Sequence, residues 1–168
     1  MTIVRCTQTL LTELGVRPDP AVGADEVGWH ANLLPIECFR CMLFTHDETL
    51  FSFFVCSPER PNLEFFPEVF GQGLFKALLR SGFSQGQVEL MLDHALEIRF
   101  AKTADRHVLG SMSNMKRMLE QTIAPVGGLA ATDPADLQRL LNETHFKAIG
   151  YDQPLTRMRC LLDAAGPR

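Results

Sequence analysis

The sequence predicts a single α+β domain over residues 1–168, with an antiparallel sheet of about four or five strands packed by several helices on one side. Three observations support this class. The length of 168 residues fits one domain, and neither an internal repeat nor a long linker divides it. Apolar runs separated by short spacers follow one another near residues 29–56, which is typical of a three-stranded meander. Segments with helical spacing of leucine and methionine occupy much of the second half.

The chain opens with a strand and a helix. Residues 2–7 are short and β-branched, as in a strand, and Thr7 or Thr9 can cap a helix that ends at Gly15. Residues 17–28 combine prolines, glycines and acids without apolar periodicity. We therefore interpret 17–28 as a surface loop.

The meander is predicted from three runs, at residues 29–36, 40–45 and 49–56. Residues 45–48 (THDE) are suited to a tight hairpin, since aspartate tolerates turn conformations. The last run contains LFSFFV, which is almost wholly apolar. We therefore expect this strand to be central in the sheet.

Later elements follow from helical spacing, capping residues and alternation. In chain order they are a helical segment over 63–79, a helix capped by Ser84 and reaching Leu96, a strand at 97–102, a helix over 107–123, and a helix opened by Asp133 and Pro134. The C-terminal segment is expected to add at most one short helix and a frayed tail at 164–168.

Charge and hydropathy exclude some partners. A net charge of −4 and a pI near 5.7 give no general attraction to phosphate backbones or anionic lipid, so nucleic acid could bind only through a local basic patch. The longest nearly apolar run, residues 50–56, is far shorter than the roughly 20 residues that span a bilayer. We expect an unidentified protein or small ligand as partner, and no membrane; the oligomeric state is open.

The number of cysteines, five, is odd, so they cannot all pair within the chain, and the N-terminus has no apolar leader segment. Reduced thiols and a cytoplasmic location are the expectation.

Two histidines and two cysteines lie close in sequence, at His30, Cys38, Cys41 and His46, and could supply zinc ligands. Along a strand, however, Cys38 and Cys41 point to opposite faces, which disfavours a zinc site. A thioredoxin-like redox role for CFRC would need the first cysteine at the start of a helix, but CFRC lies between strands. We therefore expect neither a metal nor a cofactor.

A second polar segment, residues 105–114, connects a predicted strand to a helix. Its side chains at Arg106, His107, Ser111 and Asn114 could bind an anion beside the free N–H groups of a helix start. The alternative is that Ser111 only caps the helix and Arg106 is a solvated turn residue. His30 and Asn32, two residues apart, share one strand face and complete the set of candidate binding residues.

Catalysis is permitted but not indicated. His30, His46 and His107 are candidate bases, and Ser52 and Ser111 are candidate nucleophiles. The sequence contains no nucleophile elbow, Walker loop or HExxH spacing.

Two functional hypotheses follow. The first is a binding or regulatory interaction module that recognises a protein or ligand through the sheet face bearing His30 and Asn32. The alternative is a phosphodiester- or nucleotide-directed enzyme, nuclease-like or toxin-like, with His30 or His107 as base and Arg106 as the electrostatic group.

Several segments resemble a family of short bacterial proteins with a domain of unknown function. They are IVRCTQTLL (3–11), WHANLL (29–34), CMLFTHDETLFSFFV (41–55), RHVLGSMSNMK (106–116) and LNETHFKAIGY (141–151). Similar sequences commonly lack a cysteine at the position of Cys38, which weakens a zinc or redox role further. The resemblance implies no particular activity.

Overall fold

A computed structural model describes residues 1–57 and 59–166. Its five strands form one sheet in the order β4-β3-β2-β1-β5. The strands are β1 (Thr2–Cys6), β2 (Trp29–Ile36), β3 (Phe39–His46), β4 (Ser52–Ser57) and β5 (Ile98–Lys102). The helices are α1 (Gln8–Leu14), α2 (Phe66–Arg80), α3 (Gln85–Leu92), α4 (Arg106–Ile123), α5 (Pro134–Glu143) and α6 (Pro154–Ala165).

The α+β class and the meander β2-β3-β4 are confirmed, but the sheet is mixed. β1 pairs in parallel with both β2 and β5, so the prediction of an antiparallel sheet is wrong at these strands. Parallel neighbours need a crossover of about a dozen residues or more. Residues 7–28, which contain α1 and the predicted loop, provide that crossover between β1 and β2.

Helices cover both faces of the sheet, not one side as predicted. Residues of α1, α2, α3 and α6 form one buried cluster, and residues of α4 and α5 form another. Consecutive residues of β3 show the division, since Phe44 belongs to the first cluster and Leu43 to the second. A strand buried on both faces is apolar at every position instead of alternating.

Burial on both faces also explains why β4 is apolar without being central. The expectation that LFSFFV is central is wrong, because β4 is an edge strand. Phe53 packs in the α2 cluster and Phe54 against the α4 cluster, so the strand is apolar although, among the described residues, only β3 pairs with it.

Three of the predicted helix-end residues are confirmed, although the helix capped by Ser84 ends at Leu92 and not at Leu96 as predicted. Gly15 ends α1 with a left-handed φ of 65°, Ser84 forms a capping box with Gln87, and the carboxylate of Asp133 accepts a hydrogen bond from the N–H of Ala135. The last helix, α6, has 12 residues and includes residues 164 and 165 of the predicted frayed tail. Residues 167–168 of that tail lie outside the described part of the chain. No helix within residues 1–57 and 59–166 is long and apolar enough to cross a membrane.

Two of the five cysteines are bonded to each other. Cys41 and Cys56 are directly opposite on β3 and β4, and they form a disulfide. The expectation that all thiols are reduced is therefore wrong for this pair. Cys6 is free and buried, whereas Cys38 and Cys160 are free and exposed.

Candidate functional site

A row of polar side chains crosses the sheet at one level. The strand register places Ser52, Thr45, His30 and Arg5 beside one another on β4, β3, β2 and β1. All four residues are buried. The hydroxyl oxygens of Thr45 and Ser52 are 2.8 Å apart, and both lie against the sulfur of Met115 in α4. Thr45 and Ser52 therefore lie under α4, and the row is not an open sheet face.

Asp47 joins Arg5 to His30. It directly follows β3, and its Oδ2 accepts hydrogen bonds from Arg5 Nη1 at 2.8 Å and from the N–H of Gly28 at 2.9 Å. Its Oδ1 lies 2.7 Å from Nδ1 of His30. Because the side chains of Arg5 and Asp47 are only 2% and 14% exposed, their opposite charges stabilise each other with little screening by water.

Arg5 also holds the crossover loop. Its Nη2 donates to the carbonyl oxygens of Gly23 at 2.8 Å and Glu26 at 2.6 Å. The loop backbone approaches β1 so closely that a Cβ on Gly28 would lie 2.5 Å from the carbonyl oxygen of Ile3. The end of this loop is thus fixed against the sheet.

His30 is hydrogen-bonded through both ring nitrogens. Its Nε2 accepts from the N–H groups of Ala104 at 3.3 Å and Asp105 at 3.4 Å, so the ring hydrogen belongs on Nδ1, facing Asp47. The ring ties the start of α4 to the sheet. In this arrangement neither nitrogen is open to a substrate.

The start of α4 is capped by its own side chain. The Asp105 carboxylate accepts from the N–H groups of His107 at 2.7 Å and Val108 at 3.4 Å. The Ser111 hydroxyl donates to the carbonyl of His107 at 2.9 Å. Ser111 is therefore not the cap considered from the sequence, and a carboxylate already fills the place expected for a bound anion.

The remaining candidates are scattered. Arg106, His107 and Asn114 are exposed along α4, and half-buried Asn32 lies 3.0 Å from the hydroxyl of Thr7. His30 contacts Asp105, the first residue of the polar segment 105–114, while Asn114 lies about two turns further along α4. Ligand binding by these residues stays a prediction.

A cleft opens at the carboxyl ends of β1 and β5. The chain leaves β1 for α1 on one face of the sheet and leaves β5 for α4 on the other face. Where the connections after two neighbouring parallel strands leave on opposite faces, a crevice forms that commonly binds ligands in α/β sheets. Here its volume is about 540 Å³, and its walls are the 17–24 segment of the crossover loop, Arg5 and residues 101–104.

The cleft has a basic rim. Arg17 and Lys102 are exposed and form no ion pair within residues 1–57 and 59–166. Asp19, the acidic residue of the lining, is bound to Arg99 at 2.7 Å. Hydrogen bonds from the N–H of Ala21 and from Arg99 lower the pKa of Asp19, so its charge is already compensated. The rim is left with two free positive charges.

His46 lies on the other face of the sheet from His30. Burial lowers its pKa to about 4, and its Nδ1 accepts from the hydroxyl of Thr49 at 3.1 Å. The ring packs against the edge of Trp29, with centroids 5.0 Å apart. His46 is thus a neutral core residue.

No group of three or more histidine, cysteine, aspartate or glutamate residues in the described ranges is placed to hold a metal ion.

The sequence did not predict the cluster around Asp47, because Asp47 was interpreted as a hairpin residue. The available signal was Arg5, a charge inside an otherwise apolar strand.

Comparison with known proteins gives one family. A model described as "Domain of unknown function (DUF6933)" matches residues 3–157. Neither the curated proteins nor the solved structures give a match. Because the match covers nearly the whole chain, the protein belongs to the DUF6933 family, a family defined by a domain of unknown function.

Proposed function

We propose that this protein is a binding or regulatory module whose ligand is a small anion held in the cleft at the carboxyl ends of β1 and β5. The observation that carries the proposal is the pair of unpaired cations, Arg17 and Lys102, on the rim of the crevice where the connections after β1 and β5 turn to opposite faces of the sheet. Because α4 covers His30, we place the ligand in this cleft and not on the sheet face.

The size and chemistry of the cleft support a small molecule. Its volume of about 540 Å³ falls within the roughly 300–1,000 Å³ of typical ligand pockets. Arginine and lysine together suit a carboxylate or a phosphate group. Arg5 contributes mainly by fixing the loop wall, since Asp47 and two carbonyl oxygens already occupy its guanidinium.

The nucleotide-directed enzyme is the alternative for the same cleft, since a nucleotide carries the required phosphate. It would need a base, but His30 uses both nitrogens in hydrogen bonds and His107 does not line the cleft. Binding without turnover is therefore the function that we favour.

The test is calorimetric titration with inorganic phosphate, nucleoside mono- and diphosphates, and small dicarboxylates. We expect one class to bind and to bind at least about tenfold more weakly to the double variant Arg17→Glu, Lys102→Glu. A matched double reversal on the remote surface, Lys116→Glu with Lys147→Glu, should leave the affinity nearly unchanged.

Absence of binding by every ligand in the panel, or equal affinity of the cleft variant, would overturn the proposal. Formation of a defined nucleotide product, lost in His30→Ala while the fold is retained, would instead establish the enzymatic alternative.

A further inference from the structure

The outer edge of β4, far from the cleft, has unpaired backbone groups. The N–H of His46 donates to the carbonyl of Phe51, and the carbonyl of His46 accepts from the N–H of Leu50, so a bulged hydrogen-bonding position directly precedes Ser52. Hydrogen-bonded and non-hydrogen-bonded pairs alternate along an antiparallel ladder. Phe53, Val55 and Ser57 therefore bond to β3, and the N–H and C=O groups of Ser52, Phe54 and Cys56 point outward.

The first of these outward residues is already capped. The side chain of Asn142 in α5 accepts from the N–H of Ser52 at 2.7 Å and donates to its carbonyl oxygen at 2.8 Å. Gln138 donates to the same carbonyl at 3.2 Å. These amides reproduce the hydrogen bonds of a neighbouring strand, but only at the beginning of β4.

At Phe54 and Cys56 no further strand lies beside the edge in the described part of the chain. A groove of about 230 Å³ runs here between α2 and Gln138 of α5, with residues 53–56 along its floor. The disulfide of Cys56 ties this end of β4 to β3, so the edge is held in an extended form.

The wall of the groove is basic. Lys76 and Arg80 of α2 line it, both are exposed, and neither forms an ion pair within residues 1–57 and 59–166. A second copy of this chain docked edge to edge would bring the same cations together. An extended acidic segment would instead place carboxylates beside them.

We propose that the β4 edge binds an extended, acidic peptide segment of a partner protein by β-strand addition. Backbone hydrogen bonds to Phe54 and Cys56 provide the pairing, and Lys76 and Arg80 select acidic side chains. This site is independent of the anion cleft.

The probe is a fluorescein-labelled hexapeptide of alternating glutamate and valine, measured by anisotropy with the oxidised full chain. We expect saturable binding, weakened at least about tenfold by Lys76→Glu with Arg80→Glu and little changed by Lys116→Glu with Lys147→Glu. A lysine–valine peptide, or the acidic peptide N-methylated at alternate amides on its pairing edge, should bind at least about tenfold more weakly.

Hydrogen exchange followed by NMR locates the contact, because the amides of Phe54 and Cys56 should become protected when the acidic peptide is added. Unchanged exchange there, no binding of the acidic peptide, or equal binding to the charge-reversed variant would overturn the proposal. So would a dimer in sedimentation that protects the same amides without peptide, since the edge would then belong to a second copy.

Discussion

The carboxylate of Asp47 lies 2.8 Å from the guanidinium of Arg5, although the two residues are 42 positions apart in the chain. Through this ion pair, the turn after β3, the crossover loop and β1 are joined at one point. The second oxygen of Asp47 orients His30, which in turn holds the start of α4. The carboxylate of Asp47 therefore positions both walls of the cleft.

Asp47→Asn should strongly destabilise the fold. The amide cannot neutralise Arg5, and an uncompensated buried charge typically costs roughly 3–5 kcal/mol. We expect a decrease of about that size in the free energy of unfolding in urea. Asp136→Asn is the matched control, since its ion pair with Arg139 is more than half exposed and should contribute less than about 1 kcal/mol. Similar losses in the two variants would contradict the structural role of Asp47.

His46 should make stability depend on pH. Burial lowers its pKa from 6.5 to about 4, so between these values the unfolded chain binds a proton that the folded chain does not. The contribution of neutral His46 to the free energy of unfolding is complete above pH 6.5. As the pH falls towards 4, the free energy of unfolding decreases by roughly 3 kcal/mol for this reason. The stability advantage of the wild type over His46→Gln, measured by urea unfolding, should shrink by that amount between pH 7 and pH 4. Parallel pH profiles would refute this assignment.

The cysteines should differ in their reaction with N-ethylmaleimide. Without reductant, the native protein should gain two adducts, at exposed Cys38 and Cys160. Burial raises the pKa of Cys6 to about 12, so its thiolate is scarce, and its adduct should form only after unfolding. Reduction of the unfolded chain should bring the total to five, the number of cysteines in the sequence. Five adducts on unfolding without reductant would show that Cys41 and Cys56 are not bonded.

The sequence was most informative where structure depends on neighbouring residues. Gly15, Ser84 and Asp133 mark helix ends because a cap bonds within a few residues of itself. The direction of β1 depends instead on where a 22-residue crossover returns the chain, and no local pattern encodes that. The same holds for the face that each helix covers, which determines where the cleft lies, and for the strand order, which places β4 at the edge.

The candidate site shows the same limit. The sequence makes His30 a candidate binding residue, because it shares one face of a strand with Asn32. Its partners come from residues 47 and 104–105, which approach only when β3 and α4 pack against β2. The sequence thus predicted a polar position, but not that the position is closed.

The close packing of α2 on β4 gives a final prediction, at Gly73. A Cβ there would lie 2.7 Å from Val55 Cγ2 and 2.8 Å from Phe53 Cε2. Phe53 cannot easily move, because its ring contacts those of Trp29, Phe44 and Phe70. Gly73→Ala should therefore lower the free energy of unfolding by about 1–3 kcal/mol, despite the better helix propensity of alanine.

Gly86→Ala in α3 is its matched control, since nothing lies within 4 Å of the added methyl group. There the substitution should raise stability by about 0.4–1 kcal/mol, because it reduces the freedom of the unfolded chain. Urea unfolding of both variants measures the contrast. If Gly73→Ala were as stable as Gly86→Ala, α2 would not approach β4 this closely, and the wall of the groove that carries Lys76 and Arg80 would have to lie farther from the β4 edge.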